Sequence, residues 1–134
     1  PQDIIDIFKP HQGDSVIQFF YQRAREQAAD PASVQEGAFR YPGPKPQSRE
    51  AGIVLLADSV EAACRSLTQP TPAHIERLVH SIVLQKLTDR QLDHSNLTFR
   101  DISAIEQAFV RTLCAMYHSR VRYPEAAGKA QSRR

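Results

Sequence analysis

The segment "FRYPGPKPQSREAGIVLLADSVEAACRSL", residues 39 to 67, sets one acid, Asp58, inside an otherwise apolar run. A carboxylate on a helix that is apolar nearly all round must be paired, capped or bound to a cation to offset its desolvation. Two readings stand open: a salt bridge to Arg65 or to an arginine of the preceding loop, or a metal ligand. Glu61, three residues on, shares the side of Asp58. His11, in "HQGDS", stands at a predicted helix corner, where it either caps or is exposed, or projects into a cleft without disturbing the helical hydrogen bonds. Ahead of the Asp58 helix, Arg40, Lys45 and Arg49 meet no acid until Glu50, and Pro42, Pro44 and Pro46 stiffen the loop that carries them. Pre-ordered cations suit phosphate, because little entropy is lost on binding. A rigid connector whose charges keep it solvated fits the same residues.

Other chemistries find no support. The chain has no HExxH, no GxSxG, no P-loop and no cysteine partnered with histidine and asparagine. His74 and His80 are six apart and fall on different helix faces, while His94 and His118 lie at predicted helix ends, where an imidazolium is favourable. Cys64 and Cys114 lie in apolar sequence without metal spacing, so buried free thiols in a reducing compartment are expected. Metal-assisted chemistry is what remains.

The elements that must position these residues read as helices. Pro1 suits a first helical position, and Ile4, Ile5 and Phe8 share a face over residues 1 to 8. Gly13 ends that helix, and Asp14 or Ser15 caps the next, expected over 14 to 29. The four prolines of "DPASVQEGAFRYPGPKPQ" require a loop, with room for one turn at 33 to 37. From Ser48 to 67, Ile53, Leu56, Val60, Ala63, Cys64 and Leu67 recur at helical spacing, with Val54, Leu55 and Ala57 widening the face. Thr71 caps and Pro72 opens a helix to 88 with the stripe Ile75, Leu78, Val79, Ile82, Val83, Leu87. Thr98 and Asp101 form a capping-box variant for a last helix over 98 to 118. No segment alternates long enough for a strand. The fold class is all-α, about five helices with no sheet.

At 134 residues, with 41% hydrophobic and 24% charged residues, the chain bounds one globular domain. No run of about 18 apolar residues is present to span a bilayer, so this piece is expected to be soluble. A net charge of +2 argues for no nucleic-acid partner. The basic stretch 125 to 134 reads as a solvated, flexible tail.

The stretches "HQGDSVIQFFY", "FRYPGPKPQSREAGIVLLADSVEAACRSL", "LVHSIVLQKLTDRQLDHSNLT" and "YHSRVRYP" resemble the cytoplasmic HD domain of the seven-transmembrane HD family, the PgpH-type cyclic di-AMP phosphodiesterases. The likeness runs from residue 1 to Pro124. It implies an HD-superfamily helical fold, a pair of manganese or iron ions, hydrolysis of cyclic di-AMP to pApA, and a parent protein anchored at the cytoplasmic face of the membrane. Asp58, in "LADSVEA", matches a family metal ligand, and His11 matches the first histidine of the family's "HHGT" corner. Gln12 stands where many relatives have the second histidine, and Asp14 where they have threonine.

No histidine directly precedes an aspartate here, so the catalytic HD pair is missing and residues 1 to 124 resemble the C-terminal part of an HD domain. Two divalent ions cannot be held by His11 and Asp58 alone, so the chain by itself is expected to be inactive, with incomplete metal occupancy. The apolar faces that the other half would cover favour self-association. Arg40, Lys45 and Arg49 are candidates for the dinucleotide phosphates on charge alone. An alternative is a degenerate HD domain acting as a non-catalytic cyclic-dinucleotide sensor or helical interaction module.

Overall fold

The computed structural model describes Gln2 and residues 12–131, with side chains to His118. The helix expected over 1 to 8, Gln2 apart, and His11 lie outside the described residues. Within them are four α-helices, α1 (Gln18–Gln27), α2 (Arg49–Cys64), α3 (Pro72–Thr88) and α4 (Phe99–Gln131), with 3-10 turns at Pro31–Ser33 and Glu36–Phe39. No strand occurs among the described residues, and the all-α expectation holds.

Three helix starts follow directly from side-chain caps. Ser48 Oγ accepts the Ala51 amide at 3.1 Å, and Thr71 Oγ1 accepts the His74 amide at 3.2 Å ahead of Pro72. At α4, Thr98 and Asp101 bond reciprocally, the Thr98 amide to Asp101 Oδ2 at 2.9 Å and the Asp101 amide to Thr98 Oγ1 at 3.0 Å. Each cap satisfies a helix amide that would otherwise lack a partner.

The apolar stripes then stack α2 on α3 and α3 on α4. Leu55, Leu56, Val60 and Cys64 of α2 meet Ile75, Val79 and Val83 of α3 and Ile102 and Leu113 of α4, joined by Leu92. Burial on this scale supplies the driving force, about 1.5–3 kcal/mol for each fully covered aliphatic side chain. Gly52 lets α2 approach the loop before α4: an added Cβ would lie 3.0 Å from side-chain atoms of both Ser95 and Leu97. The Tyr117 hydroxyl donates to the Cys64 carbonyl at 2.6 Å, tying α4 to the end of α2. Cys64 is a buried free thiol, and burial pushes its pKa up; Cys114 is also free and half-buried.

Two boundaries differ from expectation by more than three residues. The helix foreseen over 14 to 29 begins at Gln18, because residues 15–17 run antiparallel to 39–41: Val16 bridges Arg40, and the Tyr41 amide donates to the Ser15 carbonyl at 2.9 Å. Backbone groups committed to that pairing cannot join a helix. The last helix, expected to stop near His118 where its apolar stripe ends, runs on to Gln131.

Candidate functional site

Asp58 lies midway along α2, half-buried beside buried Leu55, Leu56 and Val60. The arginines considered above as its partners are engaged elsewhere. Arg65 donates Nε to Glu61 Oε1 at 2.9 Å, holding the Glu61 carboxyl below its usual range. Arg49 reaches the Asn96 carbonyl and, at 3.8 Å, Asp101. Instead, the Gln12 side-chain amide donates to Asp58 Oδ2. Among the described residues, Oδ1 of Asp58 accepts no hydrogen bond. The carboxylate therefore faces the corner that His11 immediately precedes.

Polar side chains from three other segments fix that corner. Gly13 takes φ +55, a left-handed conformation in which a Cβ is costly. Here a Cβ would also stand 2.3 Å from Gln91 Oε1. Gln91, fully buried just after α3, uses its whole amide: Oε1 accepts the Asp14 amide at 3.1 Å, while Nε2 donates to Asp14 Oδ1 at 2.6 Å and to Asp89 Oδ2 at 3.0 Å. Arg40 donates to the Asp14 carbonyl at 2.9 Å and grips both oxygens of Asp89, at 2.8 and 3.1 Å, with Glu36 on its other side at 3.0 Å. Lys86, in the last turn of α3, donates to Ser15 Oγ at 2.9 Å.

The charges respond to this packing. Hydrogen bonding from Arg40 holds the Asp89 carboxyl below the ordinary carboxylate range, and the same bond raises the Arg40 guanidinium. Burial pulls the Lys86 ammonium below its usual value, with the fields of Asp89 and Asp58 acting against that loss. A groove of about 660 Å³ opens beside Lys86 and Asp89, lined also by Arg77, His80 and Gln85.

Against this geometry the comparisons are direct. No protein-family model matches the chain. The cyclic-di-AMP phosphodiesterase PgpH of Bacillus subtilis is 45% identical over 131 residues, 98% of this chain and 18% of that protein. A crystal structure of the HD domain of PgpH from Listeria monocytogenes superposes with a TM-score of 0.78 at 39% identity, over 88% of this chain and 53% of the other. The same domain in complex with cyclic-di-AMP gives 0.80 at 38% identity, over 87% and 53%. The chain is homologous to PgpH. Its fold is the helical HD-domain fold of those PgpH structures. It spans under a fifth of the Bacillus PgpH and about half of each solved HD-domain chain.

Of the residues singled out in sequence, Asp58 meets the corner of residues 12–15 through Gln12, while His11 lies outside the described residues. The basic loop does not act as one surface. Arg40 is turned inward onto Asp89, Arg49 lies exposed at the start of α2, and Lys45, half-buried, forms no ion pair among the described residues. Lys86, Asp89 and Gln91 were not anticipated. A signal for Lys86 was present: it continues the buried stripe Ile75, Val79, Val83 by three residues, where a cation must find a polar partner.

Among the described residues, no three His, Cys, Asp or Glu side chains converge on a point that could hold a metal ion. One half-buried carboxylate with an open oxygen suits a hard divalent cation as a single ligand, and a pair of ions needs several. The described residues therefore do not by themselves make a two-metal centre.

Proposed function

We propose that this chain is the C-terminal part of a metal-dependent HD phosphodiesterase that hydrolyses cyclic di-AMP to pApA, and that the chain alone is inactive. The observation that carries this reading is the orientation of Asp58: its carboxylate meets Gln12 at the corner of residues 12–15 with a neutral amide for partner, while nearby arginines pair with other acids. Homology to PgpH and the likeness to an HD domain solved with cyclic-di-AMP support the substrate class. Asp58 and His11 serve as ligands to a manganese or iron pair whose remaining ligands, the HD histidine and aspartate among them, lie outside this chain. Because the donors present do not complete the site, no hydrolytic step is assigned to these residues alone. The complete protein acts at the cytoplasmic face of the membrane. No helix among the described residues is long and apolar enough to cross one.

Lys45 and Arg49 supply positive potential for the dinucleotide phosphates. Arg40, gripped by Asp89, contributes to their approach through the placement of the loop. The half of the domain outside this chain leaves apolar side chains uncovered, with Phe19 at 68% and Phe20 at 55% exposure on α1, and the isolated chain self-associates through such faces. Light scattering showing a monomer at micromolar concentration would contradict this last point.

The decisive experiment is Asp58→Ala in the complete protein, read by metal content and by conversion of cyclic di-AMP to pApA. Loss of both is expected; full metal occupancy with retained turnover would overturn the ligand assignment. The amide of Gln12 on Asp58 favours a second reading, a degenerate HD domain that binds the dinucleotide without cleaving it, or a helical interaction module. Under that reading the complete wild-type protein binds cyclic di-AMP and releases no pApA.

A further inference from the structure

We propose that Gln91 is the positioning residue of the corner, setting where residues 12–15 stand against Asp58. This rests on the reading of Asp58 and His11 as metal ligands. A surface turn would hold its own shape through its own backbone. Here one internal bond, from the Ser15 amide to the Gln12 carbonyl at 3.2 Å, is joined by the Tyr41 amide on the Ser15 carbonyl and, Asp58 apart, by three side chains from distant segments, Gln91, Arg40 and Lys86. Gln91 is the one of these without access to solvent, at 0% exposure. It reads both the amide and the carboxylate of Asp14, and the left-handed Gly13 admits it by presenting no Cβ. Its second donor bond, to Asp89 Oδ2, joins it to the acid that Arg40 grips. The seat is therefore a chain of contacts from Arg40 through Asp89 and Gln91 to Asp14, two residues from the Gln12 amide that meets Asp58.

The chemistry makes Gln91 hard to replace. A carboxylate of the same shape still accepts the Asp14 amide, but turns an acceptor toward Asp14 Oδ1 and Asp89 Oδ2, where Nε2 now donates. Like charges at hydrogen-bond range repel, and the corner is displaced. Groups that orient metal ligands without touching the metal typically change its affinity by about 10–100-fold when replaced.

The test uses the complete protein and manganese alone as probe, by calorimetric titration, with cyclic di-AMP hydrolysis measured in parallel. Gln91→Glu should weaken manganese binding by about tenfold or more and lower kcat, with helix content retained. Asp14→Asn added to Gln91→Glu exchanges donor and acceptor across the Asp14 bond and should regain part of the lost affinity, the contact with Asp89 remaining unmatched. Ile75→Ala, at the far end of α3, lowers the melting temperature but should leave manganese affinity unchanged. Asp14→Ala, a milder change should Gln91→Glu not fold, is expected to weaken manganese binding measurably. Unchanged affinity in Gln91→Glu or Asp14→Ala, an equal loss in Ile75→Ala, or no recovery in the double variant would each overturn the proposal. Asp58→Ala separates the two levels. If it abolishes manganese binding while Gln91→Glu does not weaken it, positioning fails and the ligand reading stands; if it changes nothing, the ligand reading fails.

Discussion

Along α3, Ile75, Val79 and Val83 press into the apolar core, whereas Lys86 in the last turn and Asp89 and Gln91 just past it hold a loop through polar contacts. The first region is held by non-directional burial, so neighbouring apolar side chains can partly repack around a change. In the second, each donor meets a named acceptor, and an unmatched group keeps its full desolvation cost. The core thus supplies stability, and the corner supplies the location of particular atoms.

Five substitutions sharpen or break that contrast. The largest effect on stability is expected in the core: Leu56→Ala should cost about 2–5 kcal/mol in denaturant unfolding and leave manganese affinity in the complete protein untouched. A loss of affinity there would erase the distinction. Gly13→Ala combines a left-handed φ with a Cβ directed at Gln91 Oε1, and should cost about 1–3 kcal/mol while weakening metal binding out of proportion to that loss.

Arg40→Met should cost about 1.5–3 kcal/mol at neutral pH, at the lower end because both partners are partly exposed, and it also changes the response to acid. The folded carboxyl of Asp89 is held below its unfolded value near 3.9, so the unfolded chain binds the proton more readily. The stabilisation is complete above about pH 4 and is lost as pH falls through the folded pKa. Unfolding curves between neutral and acid pH should show a shallower decline for Arg40→Met than for the parent; parallel curves would place the acid sensitivity elsewhere.

The smallest effects are expected at Arg49, exposed at the start of α2, and at Lys45 on the loop before it. Arg49→Ala and Lys45→Ala should each change stability by no more than about 0.5 kcal/mol. Both should weaken cyclic di-AMP binding in the complete protein more at low salt than at high salt. An effect independent of salt would assign these residues a structural task like that of Arg40.

Much of the core was legible because helical caps and periodicity are local. Ser48, Thr71 and the Thr98–Asp101 pair mark helix starts to within a residue, and the stripes of α2 and α3 point to side chains that are buried or half-buried, save Ile53, which opens the α2 stripe and is 38% exposed. The start of α1 was missed because Val16 and Ile17 look like a helix face in isolation, and it is Phe39 to Tyr41, more than twenty residues away, that hold them extended. The end of α4 was missed because the apolar periodicity in the sequence stops near His118, and a helix can continue without it. In the site, Asp58 stood out as an acid in apolar sequence. The partners of Arg40 did not, since a cation in a proline-rich loop reads the same whether it faces solvent or an acid supplied from the end of α3. Gln91 carries no charge and lies outside every stripe, so only the assembled fold reveals its contacts.

The Tyr117 hydroxyl on the Cys64 carbonyl has a consequence for motion. With Leu55, Leu56 and Val60 packed into the core and Tyr117 tied to its rear, the helix is held like a rail, and Asp58 at mid-span has little freedom to slide or swivel. Any opening between Gln12 and Asp58 is then a swing of the short arm of residues 12–15, with the rail as the fixed reference from which that swing is measured.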